Sequence, residues 1–177
     1  MRTGEVTIYI GGVYASGQPM VVKTLLGSCI AVCLHDAVRG VGGMNHFMLP
    51  GGNGDGDDAG RFGVHAMDLL IGAIMKAGGD RRRLIAKVFG GANVLDVQGP
   101  VVDVPRQNVE FIRTFLKEEE IPVVSADVGG RYARHVHFHT QDGRAFVKRV
   151  RRVHAVRAEE QARAAPAVKY GEITLFE

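Results

Sequence analysis

The chain has 177 residues, 46% of them apolar and 23% charged, with a formal net charge of +3. Such a length fits one domain burying roughly 70% of its unfolded surface, and the composition excludes a disordered or fibrous chain. No apolar run approaches the ~20 residues of a membrane span, and the opening MRTGEVTIYIGG lacks the apolar core of a secretory signal, so a cytoplasmic protein without membrane insertion is expected.

Alternating or continuous apolar runs predict strands at residues 5–10, 21–26, 30–34 and 41–49. The glycine- and aspartate-rich residues 51–60 predict a loop. In residues 61–79, Phe62, Ala66, Met67, Leu70, Ile74 and Met75 recur at helical spacing, with Gly78 as the stop. Residues 84–91, LIAKVFGG, predict a buried strand. NVEFIRTFLKEEE (108–120) predicts a second amphipathic helix with Val109, Ile112, Phe115 and Leu116 inward. IPVVSADVGG predicts another strand, and residues 134–150 a hairpin about a Gln-Asp-Gly-Arg turn. This order predicts an α+β fold: a largely antiparallel β-sheet sandwich with helices packed on it. Residues 1–150 are expected to form the domain. Residues 151–177, rich in arginine, alanine and glutamate, form a basic tail, either docked or partly disordered.

The two cysteines, Cys29 and Cys33, lie four apart. On a strand that separation spans about 13 Å, too far for a disulfide; on a helix they would be neighbours, but a reducing cytoplasm would keep them as thiols, so free thiols are expected. If residues 30–34 and 41–49 form a hairpin with a two-residue turn at Ala37–Val38, Cys29 lies directly opposite His46, with Cβ atoms ~5 Å apart. Gly40 invites a bulged turn, and a one-residue slip would turn one of the two side chains away.

A thiol attacks only as thiolate, so it needs a neighbouring base or a positive dipole. Gly27 and Ser28 let the backbone turn tightly and bring amide N–H groups near the sulfur, as an oxyanion hole requires. A Cys–His pair with a polar orienter performs acyl transfer through a thioester. The plainer reading is a buried, inert core thiol.

Other constellations carry less. His135, His137 and His139 share one strand face, yet no fourth ligand is evident, so no metal is expected. NGDGDD departs from a calcium loop at Asp58 and Val64, and FGGAN lacks the residues of a phosphate loop, so no cofactor is expected. Basic stretches at 80–84 and 148–157 have no nucleic-acid signature, and the chain has no tryptophan.

TLLGSCIAVCLHD followed by GGMNHFMLP, then RFGVHAMDLLI, AKVFGGANVL and NVEFIRTFLKEEEIPVVSADVGG, resembles the CheD family of bacterial chemotaxis proteins, the chemoreceptor glutamine deamidases. The likeness covers roughly residues 5–150. It implies an α/β sandwich with Cys29 as nucleophile and His46 as base, acting on glutamines of the cytoplasmic helices of methyl-accepting chemoreceptors. A third catalytic residue is implied shortly upstream of the cysteine. Thr24 is the nearest candidate, and an alignment with one more intervening residue would put Lys23 there. Asn108 matches the family pattern, whereas Pro105 and Gln107 depart from it. The alternative is a regulatory module that binds receptors or a CheC-type phosphatase. A thiol peptidase or transglutaminase-like acyltransferase is a third option. The basic segment around Arg149, Arg151 and Arg152 would favour an acidic helical partner.

Overall fold

The computed structural model describes residues 3–49, 56–94 and 103–150, the side chains of 56–61 excepted. In chain order the elements are β1 (Gly4–Thr7), β2 (Val13–Ser16), β3 (Met20–Leu26), β4 (Ile30–Asp36), β5 (Val41–Phe47), α1 (Gly56–Lys76), a 3₁₀ turn (Arg81–Arg83), β6 (Ile85–Gly90), α2 (Val104–Glu118), β7 (Val123–Val128), β8 (Ala133–His139) and β9 (Ala145–Val150). They build two sheets, one ordered β1-β3-β8-β9 and the other β2-β5-β4-β6-β7. The β1–β3 and β6–β7 pairs are parallel and the remaining neighbours antiparallel, so the expected α+β sandwich is formed.

Side-chain alternation divides the core into two layers. Along β4, Ile30, Val32 and Leu34 join Met67, Leu70 and Ile74 of α1 and Ile112 and Phe115 of α2. Cys29, Ala31 and Cys33 point the other way, toward Val22 and Leu26 of β3 and Val136 and Phe138 of β8. Both faces of β4 and β5 are therefore covered, and every residue of the two strands is buried. Such strands read as continuous apolar runs because neither face meets water.

Helix α1 begins at Gly56, so residues 56–60, expected as loop, are helical. Its inward stripe is Met67, Leu70, Ile71 and Ile74. Phe62 and Met75, expected inside, lie at the stripe's margins and are 45% and 52% exposed. The predicted stop holds: Gly78 at φ +100° donates to Met75 O and Gly79 donates to Ile74 O, satisfying the last carbonyls. Helix α2 starts four residues earlier than expected, where the Asp103 carboxylate accepts from Arg106 N–H and Pro105 occupies the first turn. The short strand β2 carries no periodic signal of its own, being four residues between glycine-containing turns. The tail 151–177, with its expected docking or disorder, and residues 51–55 lie outside the described residues.

Candidate active site

The Cys29 loop is held from below by its carbonyls. Gly27 O accepts from Ala92 N–H at 2.9 Å, Cys29 O accepts from Gly91 N–H at 2.7 Å, and Ser28 O accepts from Asn108 Nδ2 at 2.9 Å. In a trans peptide the N–H points opposite to the carbonyl. The N–H groups of Ser28 and Cys29 are thus aimed away from Ala92 and Asn108. This close approach depends on Gly90 at φ +110°, where a Cβ would lie 2.1 Å from Cys29 O.

The β4–β5 hairpin has a longer turn than expected. Asp36 pairs with Val41, leaving Ala37–Gly40 as a four-residue loop. The Asp36 carboxylate folds that loop by accepting from Val38 and Arg39 N–H, and Gly40 takes φ +62°. Asp36 is itself fixed by Arg83, whose guanidinium reaches it at 2.8 Å. As a result Ala31, not Cys29, lies directly opposite His46. Cys29 sits one residue before β4, diagonal to His46, a relation that spaces Cα atoms by about 7–8 Å in a regular ladder. A displacement by an even number of residues preserves the face, and Cys29 still lines the interlayer toward β3.

Thr24 enters this interlayer from the opposite sheet. Its Oγ1 donates to Ile8 O at 2.9 Å and lies 2.8 Å from His46 Nδ1. A hydroxyl has one proton. With that proton on Ile8 O, Thr24 accepts from His46 Nδ1–H, which assigns the tautomer with its lone pair on Nε2. Lys23, the competing position, points to the outer face and pairs with Glu5 at 2.5 Å. Alternation along MVVKTLL carries the signal: Val22, Thr24 and Leu26 are buried while Lys23 and Leu25 are only partly so. Thr24, Cys29 and His46 are 3%, 1% and 6% exposed.

Asn108 is a residue that sequence reasoning matched without giving it a role. It is fully buried on the apolar face of α2, one turn before Ile112. Its Oδ1 accepts from Leu49 N–H at 2.9 Å while its Nδ2 serves Ser28 O. A polar residue in an apolar helical stripe was the available signal.

The remaining candidates lie elsewhere. Cys33 is buried in the interlayer, and burial pushes its thiol well above the ordinary range. His135, His137 and His139 line the outer face of β8, where His139 packs edge-on against Phe146. Burial first, then Lys23, lowers the His137 pKa. Arg149 donates to Asp127, which also holds the buried Arg134. Arg151 and Arg152 lie outside the described residues. No helix among the described residues is long and apolar enough to cross a membrane.

Fold and geometry define an α+β sandwich protein in which Thr24 of β3 and His46 of β5 meet in the interlayer that Cys29, in the loop before β4, also lines. The profile of the family described as "CheD chemotactic sensory transduction" matches residues 48–149. Over 170 residues the chain is 45% identical to a Chromobacterium violaceum protein named "Probable chemoreceptor glutamine deamidase CheD 2", covering 94% of this chain and 84% of that one. A Ruegeria relative, "Probable chemoreceptor glutamine deamidase CheD 1", is 44% identical over 99% of this chain and 97% of its own. An Agrobacterium fabrum relative named "Probable chemoreceptor glutamine deamidase CheD" is 50% identical over 73% and 71%. The chain belongs to the CheD family.

Proposed function

We propose that this protein hydrolyses the side-chain amide of specific glutamines to glutamate in the cytoplasmic helices of methyl-accepting chemoreceptors, through a thioester on Cys29. The names of the relatives support the reaction and its substrate class. The observation that carries the assignment of roles is the chain Ile8 O, Thr24 Oγ1, His46 Nδ1, because it leaves His46 Nε2 as the basic nitrogen in the interlayer that Cys29 lines.

His46 Nε2 takes the Cys29 thiol proton, and the thiolate adds to the amide carbon of the glutamine. The developing oxyanion is held by N–H groups at Ser28 and Cys29, whose carbonyls are anchored on the far side. The imidazolium then gives its proton to the departing nitrogen, releasing ammonia and leaving the thioester. Nε2 next removes a proton from water, which attacks the thioester and frees the carboxylate and the thiol. Thr24 accepts from Nδ1–H throughout, holding the ring in place and supporting its positive charge.

The test is ammonia release and intact mass of a glutamine-bearing receptor cytoplasmic fragment, with wild type and with Cys29→Ala. A gain of about one mass unit per site, with ammonia, and none with Cys29→Ala, is the expected result. An unchanged mass with retained binding of receptor or of a CheC-type phosphatase would replace this reading with a regulatory one.

A further inference from the structure

We infer that Asn108 is a positioning residue of the active site, acting through the Ser28–Cys29 peptide to aim and polarise the Cys29 N–H; the inference rests on the deamidase reading above. From α2, Asn108 bridges the segment bearing the nucleophile and the segment following the base, which also meet directly where Ser28 Oγ donates to Met48 Sδ at 3.8 Å. Its Nδ2 donates to Ser28 O and its Oδ1 accepts from Leu49 N–H, each at 2.9 Å, with Leu49 three residues beyond His46. Both partners are backbone groups with fixed roles, since a carbonyl only accepts and an N–H only donates. The position therefore demands one donor and one acceptor on a short planar group, and the amide has only one orientation that satisfies both.

A structural polar clamp would serve as well anywhere in the loop. This one engages the single carbonyl whose peptide partner is the N–H of the nucleophile. Donation to Ser28 O draws electron density from that peptide and makes its N–H a stronger donor. It also fixes the peptide plane, so the N–H points away from α2. The anchor is rigid: Asn108 is 0% exposed, α2 is capped one turn earlier by Asp103, and Ile112 and Phe115 pin the same helix face into the core.

The experiment separates two chemistries of one sulfur. Deamidation passes through an oxyanion, whereas alkylation of Cys29 by iodoacetamide does not. Asn108→Asp keeps the acceptor for Leu49 N–H and, when ionised, loses the donor to Ser28 O. We expect kcat for the receptor fragment to fall at least about tenfold with KM changed less than about twofold, short of the ~10²–10³ lost when an oxyanion donor is removed outright. The pH profile of Cys29 alkylation should stay that of wild type. A protonated carboxyl regains the donor, so the ratio of variant to wild-type kcat should rise as pH is lowered. Should Asn108→Asp fail to fold, Asn108→Ala carries the same pair of assays without a buried charge. Equal kcat in an active wild-type background would overturn the inference alone, as would parallel losses of deamidation and alkylation. An inactive wild type would instead overturn the deamidase reading.

Discussion

Thr24 Oγ1 and His46 Nδ1 meet at 2.8 Å across the two sheets, and the hydroxyl proton of Thr24 is committed to Ile8 O. Direction, not only distance, follows from this pair, because the tautomer is set by what the hydroxyl can still accept. Thr24→Val preserves shape and removes the acceptor. Its deamidation rate should fall on the order of 10²-fold, the lower part of what a positioned general base contributes, while Thr24→Ser retains most activity. Lys23→Ala, on the outer face, should leave the rate within about twofold. Ammonia release from the receptor fragment measures all three, and an inert Thr24→Val would remove the threonine from the mechanism.

The two cysteines should behave differently despite similar burial. Cys33 packs in mid-strand between the sheets with its thiol pKa raised by burial. Cys29 lies in a loop at the strand's end. Native alkylation followed by peptide mass analysis should label Cys29 well ahead of Cys33. Cys33→Ala should keep deamidation and lose only stability, about 1 kcal/mol for a small buried truncation. Preferential labelling of Cys33 would contradict the assignment.

Gly90→Ala should damage the site from outside it. Its Cβ would press on Cys29 O at 2.1 Å, and φ +110° is strained for any side chain. We expect a loss of at least about 2 kcal/mol of stability together with deamidation. Thermal unfolding and the ammonia assay report the two effects. A variant of normal stability and activity would show that the loop tolerates displacement.

The hairpin turn supplies an acid-sensitive contribution. Hydrogen bonds from Arg83, opposed by burial and aided by Asp80 and Arg39 N–H, hold the Asp36 carboxyl well below its ordinary range. A carboxyl depressed on folding adds stability above its unfolded pKa near 4 and loses it as pH falls toward the folded value. Asp36→Asn should therefore lose about 2–3 kcal/mol at pH 7, less than a fully enclosed pair because Arg83 remains 33% exposed. The gap from wild type should narrow below about pH 4. Denaturant unfolding at pH 7, 5 and 3 checks it, and a gap constant with pH would assign the effect to packing instead.

The sequence by itself determined the strands whose faces are both buried, the two amphipathic helices and the Gly78 stop, and it named the residue types of the candidate site. These depend on local periodicity and on what a given side chain can do chemically. It left Thr24 and Lys23 both open; the fold separates them, turning Thr24 into the interlayer and Lys23 to the outer face. Only the tertiary structure decided register and partnership. The Asp36 carboxylate and Arg83 impose a four-residue turn, which moves Cys29 from opposite His46 to diagonal, because a turn's length is set by groups distant in sequence. The tautomer of His46 rests on the carbonyl of Ile8, and the direction of the Cys29 N–H on Asn108, 80 positions from Ser28. Hydrogen bonds of that range leave no periodic trace in a chain, so folding alone brings them together.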